Sequence, residues 1–143
     1  MTALLVILFS QEAEFRPDAD AQTRALGVLL DNSAGALLLV ARDDDGAVVG
    51  MVSLLFSVST ALGAPAAVLE DLVVDPAHRG RGVGGALLDA ALAAAIDRDC
   101  ARVTLLTDAD NTGGQALYAG RGFARSSMMA MRLALPPPDR NAR

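Results

Sequence analysis

Lysine is missing from this chain: all twelve basic residues among its 143 are arginine. That absence removes a Walker A lysine, a pyridoxal Schiff base and every other chemistry that rests on a lysine amine. Histidine (His78) and cysteine (Cys100) occur once each, too few for a Cys/His zinc site or a structural disulfide, so no metal is expected. The scarcity of cysteine suits a reducing, cytoplasmic setting. Positive charge is also in deficit, with 12 basic against 17 acidic residues and a net charge of -5. Neither nucleic acid nor an anionic membrane surface is attracted by such a chain, and an anionic ligand must be held by local groups. The apolar run at residues 3–9 (ALLVILF) is too short to span a bilayer, follows no positive charge and precedes no small-residue cleavage site; it reads as core.

What is plentiful is apolar surface. Hydrophobic residues make up 52% of the chain, enough to build the core of one domain, expected over residues 1–135. Residues 136–143 follow it as a flexible, proline-rich tail.

Residues 4–9 place Leu4, Leu5, Leu8 and Phe9 on one helical face, although Val6 and Ile7 also suit a short strand. After Pro17, Asp18 or Asp20 can cap a helix whose apolar positions are Ala25, Leu26, Leu29 and Leu30, with Asn32, Ser33 and Gly35 ending it. Residues 36–41 and 47–58, joined by Asp43-Asp44-Asp45-Gly46, predict an antiparallel hairpin. A third strand over residues 67–74 and a helix over residues 83–96 follow. The helix carries two apolar stripes, Val83-Leu87-Ala91-Ala94 and Leu88-Leu92-Ala95-Ile96, which predict packing on more than one side. A strand at residues 102–106 then lies parallel to the third through a right-handed crossover. A short helix from Asp110 or Asn111 to Tyr118 and a last strand or strand pair, at Phe123 and residues 127–133, complete the chain.

Residues 69–88, LEDLVVDPAHRGRGVGGALL, hold the most specific pattern. Pro76 ends strand pairing, Gly80, Gly82, Gly84 and Gly85 let the backbone curl, and a helix begins at once. Its unpaired first N–H groups and the positive end of its dipole converge beside Arg79 and Arg81, forming a cradle for phosphate or pyrophosphate. Gly80 to Gly85 also satisfies the dinucleotide fingerprint G-x-G-x-x-G, with Asp108 as a ribose ligand. Context speaks against a nicotinamide dinucleotide. The residues Asp75 to Arg79 separate strand from motif, an antiparallel hairpin precedes it, and too little chain follows for repeated βαβ halves.

The pattern R-x-x-G-x-G, here Arg79-Gly-Arg-Gly82-Val-Gly84, resembles the coenzyme A loop of the GNAT superfamily of N-acetyltransferases. A second stretch, Asn111-x-x-Gly114-x-x-Leu117-Tyr118-x-x-x-Gly122-Phe123, resembles that superfamily's later N-x-x-A-x-x-L-Y-x-x-x-G-F run, with glycine standing where alanine is usual. The resemblance implies an α/β (α+β) fold: a mixed, twisted sheet with a central βαβ unit and splayed strands, flanked by helices. It implies acetyl-CoA as cosubstrate, its pantetheine arm paired with the backbone of Leu72, Val73 and Val74. The pyrophosphate would be held by Arg79, Gly80, Arg81, Gly82, Val83 and Gly84, and Asn111 would contact the pantetheine or an adjoining water. Tyr118, two helical turns beyond Asn111, would place its phenol near the thioester sulfur. Superfamily members usually begin with an additional strand, for which residues 4–9 are the available segment. A homodimer is an expectation at the family level.

The chemistry accounts for these residue types. Attack on a thioester needs a neutral amine, a polarised carbonyl and a protonated leaving thiol. A backbone N–H near Val73 or Val74 can polarise the carbonyl. Tyr118 can protonate a thiolate, whose reference pKa of about 8.5 lies below the phenol's of about 10. Of the three glutamates, Glu70 lies beside the proposed acyl site and is the candidate base, with Asp71 its rival. Strand alternation predicts that these carboxylates face opposite sides, Glu70 on that of Leu72 and Val74. Glu70 could instead pair with Arg102 or Arg125. The function expected is N-acetyl transfer to a primary amine of a small molecule or peptide; the alternative is a silent acyl-CoA-binding sensor or partner module.

Overall fold

The computed structural model describes residues 1–12 and 14–136. It divides into two compact units, Met1–Asn111 and Thr112–Arg143. The proline-rich tail expected from residue 136 therefore lies, beyond Pro136, outside the described residues.

In the first unit two helices, α1 (Thr2–Gln11) and α2 (Ala19–Asp31), precede the hairpin of β1 (Ala36–Arg42) and β2 (Val48–Ser59). Then come β3 (Ala64–Val74), a single 3-10 turn at Pro76–His78, α3 (Val83–Asp97) and β4 (Val103–Leu105). The strands form one four-stranded sheet in the order β1-β2-β3-β4. β1–β2 and β2–β3 are antiparallel, whereas β3 and β4 run parallel. Asp18 caps α2, its carboxylate accepting from the Ala21 N–H at 3.0 Å. In the hairpin turn, Gly46 takes a φ of 83°.

Residues 4–9 form a helix, not a first strand. Val6 and Ile7 yield to tertiary packing: Leu4 and Leu5 of α1 share a buried cluster with Leu26, Met51 and Val73. The helices α1 and α2 thus cover the sheet face to which Met51 points. The other face belongs to α3, because Met51 and its neighbour Gly50 project oppositely and a Cβ on Gly50 would fall 2.9 Å from Leu87 Cδ1 and 3.2 Å from Val83 Cγ1. Within the first unit α3 packs against the sheet. Its buried residues Leu87, Leu88, Ala91 and Ala95 face the sheet, while Ile96 is exposed, so the second predicted stripe is only partly used. Burying Leu87 and Leu88 contributes roughly 1.5–3 kcal/mol each. At the far end of α3, the Arg98 guanidinium stacks 4.1 Å from the Phe56 ring centroid and reaches the carbonyls of Ser33 and Ala34.

The second unit contains α4 (Thr112–Ala119), which ends in a turn where Gly122, at φ 90°, donates to the Ala119 carbonyl. The strand expected at residues 127–133 does not form among the described residues. Met128, Met129, Met131 and Leu133 are exposed there, and no ladder partner holds the segment extended.

Candidate active site

Pairing between β3 and β4 covers only Ala67↔Val103, Val68↔Thr104 and Leu69↔Leu105. β3 continues to Val74, so its second half is unpaired on that side and the two strands part after Leu69. On the opposite side the Asp75 N–H donates to the Val49 carbonyl at 2.8 Å. By the alternation of an antiparallel ladder, Val73 then turns its amide groups toward β2, and Val74 turns its own away, toward the opening. The Val74 carbonyl accepts from Arg79 Nε at 3.0 Å, and the Val74 N–H stays outside the β2 ladder.

The turn beyond β3 is held by its own side chains. Asp75 accepts from the Ala77 N–H at 2.8 Å and lies 3.4 Å from His78 Nδ1, contacts that hold its carboxyl below the usual carboxylate range. His78 is half-buried, with Asp43 on its other side at 3.9 Å. Arg79 spans from the Val74 carbonyl to Gln11 Oε1, 3.4 Å away at the end of α1. Its guanidinium therefore fastens the loop to the body of the unit. Gly80 and Gly82 have φ of 73° and 83°, in the left-handed region that side chains resist. Gly82 is the N-cap of α3, and its carbonyl accepts from the Ala86 N–H at 3.0 Å. Among the described residues no acceptor meets the N–H groups of residues 80–85. These free amides, gathered at a helix N-terminus, fit a pyrophosphate, and the unpaired edge ending at Val74 fits an extended amide-bearing chain. Arg81 and Val83 also border a concavity of about 400 Å³ with Leu39, Val40 and Leu87, on the β1 side of α3.

A bulge interrupts β3 just before that edge. The register runs Ser53↔Glu70 and then Met51↔Val73, so Asp71 and Leu72 together oppose Val52. Asp71 absorbs the extra residue at φ 53°. This overturns the expected alternation. Glu70 shares a face with Ser53 and, across the bulge, with Val73, not with Val74. The buried Ser53 hydroxyl donates to Asp71 Oδ2 at 3.0 Å and also lies 3.2 Å from the Glu70 carbonyl, so Asp71 is drawn to the side of Glu70. Both carboxylates occupy one side of the sheet.

Their electrostatics follow from that placement. Glu70 is exposed as a residue, yet partial desolvation at its carboxyl, followed by the negative charge of Asp71, raises its pKa. Burial raises the pKa of Asp71, with the Ser53 hydrogen bond opposing. Among the described residues of the first unit Glu70 makes no salt bridge, so Arg102 does not pair with it.

Asn111 closes the first unit, its amide donating to Thr107 Oγ1 at 3.2 Å. α4 begins one residue later, so Asn111 precedes the helix that carries Tyr118. Within the second unit the Tyr118 ring meets Phe123 edge-on at 5.9 Å, and its backbone carbonyl accepts from the N–H groups of Arg121 and Phe123.

Sequence reasoning missed Ser53 and the bulge. Ser53, set between the apolar residues Met51-Val52 and Leu54-Leu55-Phe56 of β2, was the available signal, but the left-handed residue opposite is an aspartate, which does not announce a bulge as glycine would.

The fold is similar to that of a Trypanosoma brucei acetyltransferase. The two share 28% identity and a TM-score of 0.69 over 94% of this chain and 89% of that one. A family model described as the acetyltransferase (GNAT) family matches residues 3–123. The chain belongs to that family. It is 37% identical over 105 residues to a mycothiol acetyltransferase of Clavibacter michiganensis, and 38% identical over 58 residues to an N-alpha-acetyltransferase of Arabidopsis thaliana. These matches cover 73% and 41% of this chain, and in each case 30% of the curated relative's length. No helix among the described residues is long and apolar enough to cross a membrane.

Proposed function

We propose that this protein transfers an acetyl group from acetyl-CoA directly to a primary amine. The observation that carries the reading is the row of free amides at residues 80–85 beside the unpaired end of β3, with two carboxylates at the bulge on the same strand.

Bound acetyl-CoA supplies an activated acyl carbon and a thiol leaving group. The free amides of Gly80 to Gly84 hold its pyrophosphate on a loop that Arg79 fastens, with Arg81 adding charge, while Leu72 and Val74, on either side of the β2-facing Val73, provide the strand edge for the pantetheine and Asn111 a side contact. The Val74 N–H, turned to the open side, polarises the acyl carbonyl. Glu70 accepts the proton shed by the amine, directly or through water, as the N–C bond forms. Tyr118 donates its phenolic proton to the sulfur as the C–S bond breaks. The raised pKa of Glu70 makes it a stronger base than an ordinary carboxylate.

In this reading residues 1–135 act as one catalytic domain, the protein is cytoplasmic and homodimeric, and neither nucleic acid nor membrane is a partner. The acceptor is a small molecule or peptide, and the net negative charge favours a cationic amine over an acidic one. Relatives named mycothiol acetyltransferase and N-alpha-acetyltransferase support an acetyl acceptor without separating small molecule from peptide. The deciding experiment is a thiol-release assay with acetyl-CoA across a panel of small amines and peptides, alongside calorimetry of acetyl-CoA binding. Binding with turnover on at least one amine is expected. No heat of binding sinks the proposal; tight binding with no turnover on any amine and indifference to Tyr118→Phe replaces it with an acyl-CoA sensor.

A further inference from the structure

Building on Glu70 as the base, the bulge assigns work to two residues that touch no reacting atom. The Ser53 hydroxyl is buried to 1% exposure in the middle of β2, and its register partner on β3 is Glu70. Instead of serving only the ladder, it reaches Asp71 Oδ2 at 3.0 Å. A regular strand would send Asp71 to the opposite face, but its φ of 53° turns it back toward Ser53. An aspartate held left-handed in mid-strand is strained, and the buried hydrogen bond fixes where that residue points.

We propose that Ser53 and Asp71 form a positioning pair for Glu70: the hydroxyl fixes the Asp71 carboxylate on the Glu70 side of the sheet, where its negative charge favours the protonated form that Glu70 reaches during turnover. A like charge nearby disfavours a second carboxylate, so a proton offered by an ammonium or a reacting amine is taken up more readily. The surroundings leave this role to Asp71. β2 carries no ionisable side chain, and neither does α1, which packs against β3. α2 brings Asp20, Arg24 and Asp31, and α3, on the other face, brings Asp89 and Asp97. The pKa of Glu70 is raised first by partial desolvation and then by the charge of Asp71, its neighbour at the bulge.

With only three glutamates in the chain, carbon-13 labelling of glutamate gives a titration of Glu70 that the spectrum of Glu70→Gln assigns. The test compares native protein, Asp71→Asn and Ser53→Ala by this titration and by the acid limb of kcat with one fixed amine. Asparagine tolerates left-handed backbone, so Asp71→Asn removes charge while keeping the bulge. In Asp71→Asn the Glu70 midpoint is expected to move to lower pH and the acid limb to move with it, so that the fraction of the plateau rate rises up to two-fold at the native midpoint and several-fold further down the acid limb. Ser53→Ala is expected to move both the same way by less. A Glu70 midpoint that stays or rises in Asp71→Asn overturns the pairing. A midpoint that falls while the acid limb stays fixed overturns Glu70 as base, and with it the catalytic use of the pair, separately from the electrostatics.

Discussion

Two places flanking the end of β3, Asp71 on one side and Gly80 with Gly82 on the other, force the backbone into left-handed geometry, and they do so by different means. At Gly80 and Gly82 the turn before α3 uses residues with no Cβ, so the conformation carries no side-chain penalty and the amides of residues 80–85 stay free. At Asp71 the bulge uses a side chain that resists the conformation, held by a buried hydroxyl. The first device leaves room for close approach to the backbone. The second places a charge. Glycine marks where the chain must make room, and a strained aspartate marks where it must aim.

The comparison can be broken from either end. The largest effect is expected at the aimed end. Glu70→Gln should lower kcat by about 10²–10⁴, the usual worth of a general base, with little change in acetyl-CoA affinity by calorimetry. Next comes the roomy end: Gly82→Ala puts a Cβ into left-handed backbone at about 1–2 kcal/mol, which should weaken acetyl-CoA binding roughly tenfold while the acid limb of kcat stays in place. Arg79→Ala cuts the ties to Val74 and Gln11 that hold the loop down. It should raise the KM for acetyl-CoA several-fold with kcat nearly intact.

The smallest effect concerns stability. Glu70 and Asp71 both have pKa values raised in the folded state. The folded chain therefore binds protons at these sites more tightly than the unfolded chain, so both groups cost stability once pH rises from the ordinary carboxylate range through their folded values. Asp71→Asn should be more stable than the native chain in urea melts near pH 7, by about 1 kcal/mol at most, and that advantage should shrink toward acid pH. A gain that grows toward acid pH would contradict the assigned shifts.

The same contrast explains what could be read in advance. The glycine turn, the hairpin with Gly46 and the β3-α3-β4 crossover were legible because each rests on a local signal: a residue type required by a dihedral, or an apolar period. Residues 4–9 were ambiguous because their local preferences conflict, and contacts from distant Met51 and Val73 decide for the helix. Residues 127–133 have strand composition, but a strand exists only with a neighbour, and composition does not supply one. The side taken by Glu70 and Asp71 was misread because a period-2 argument assumes an uninterrupted ladder, and one extra residue reverses it.

Gly50 gives the helix end a remote control. A Cβ there would meet Leu87 Cδ1 at 2.9 Å, Val83 Cγ1 at 3.2 Å and the Val73 carbonyl at 3.3 Å. Val83 is the first residue of the helix that presents the free amides, and the Val73 carbonyl lies in the strand that carries the bulge. One methyl group placed beneath the sheet would thus press on both devices without facing the ligand. Under the proposed function, a side chain at Gly50 would retune the grip on acetyl-CoA while leaving every residue placed against it unchanged.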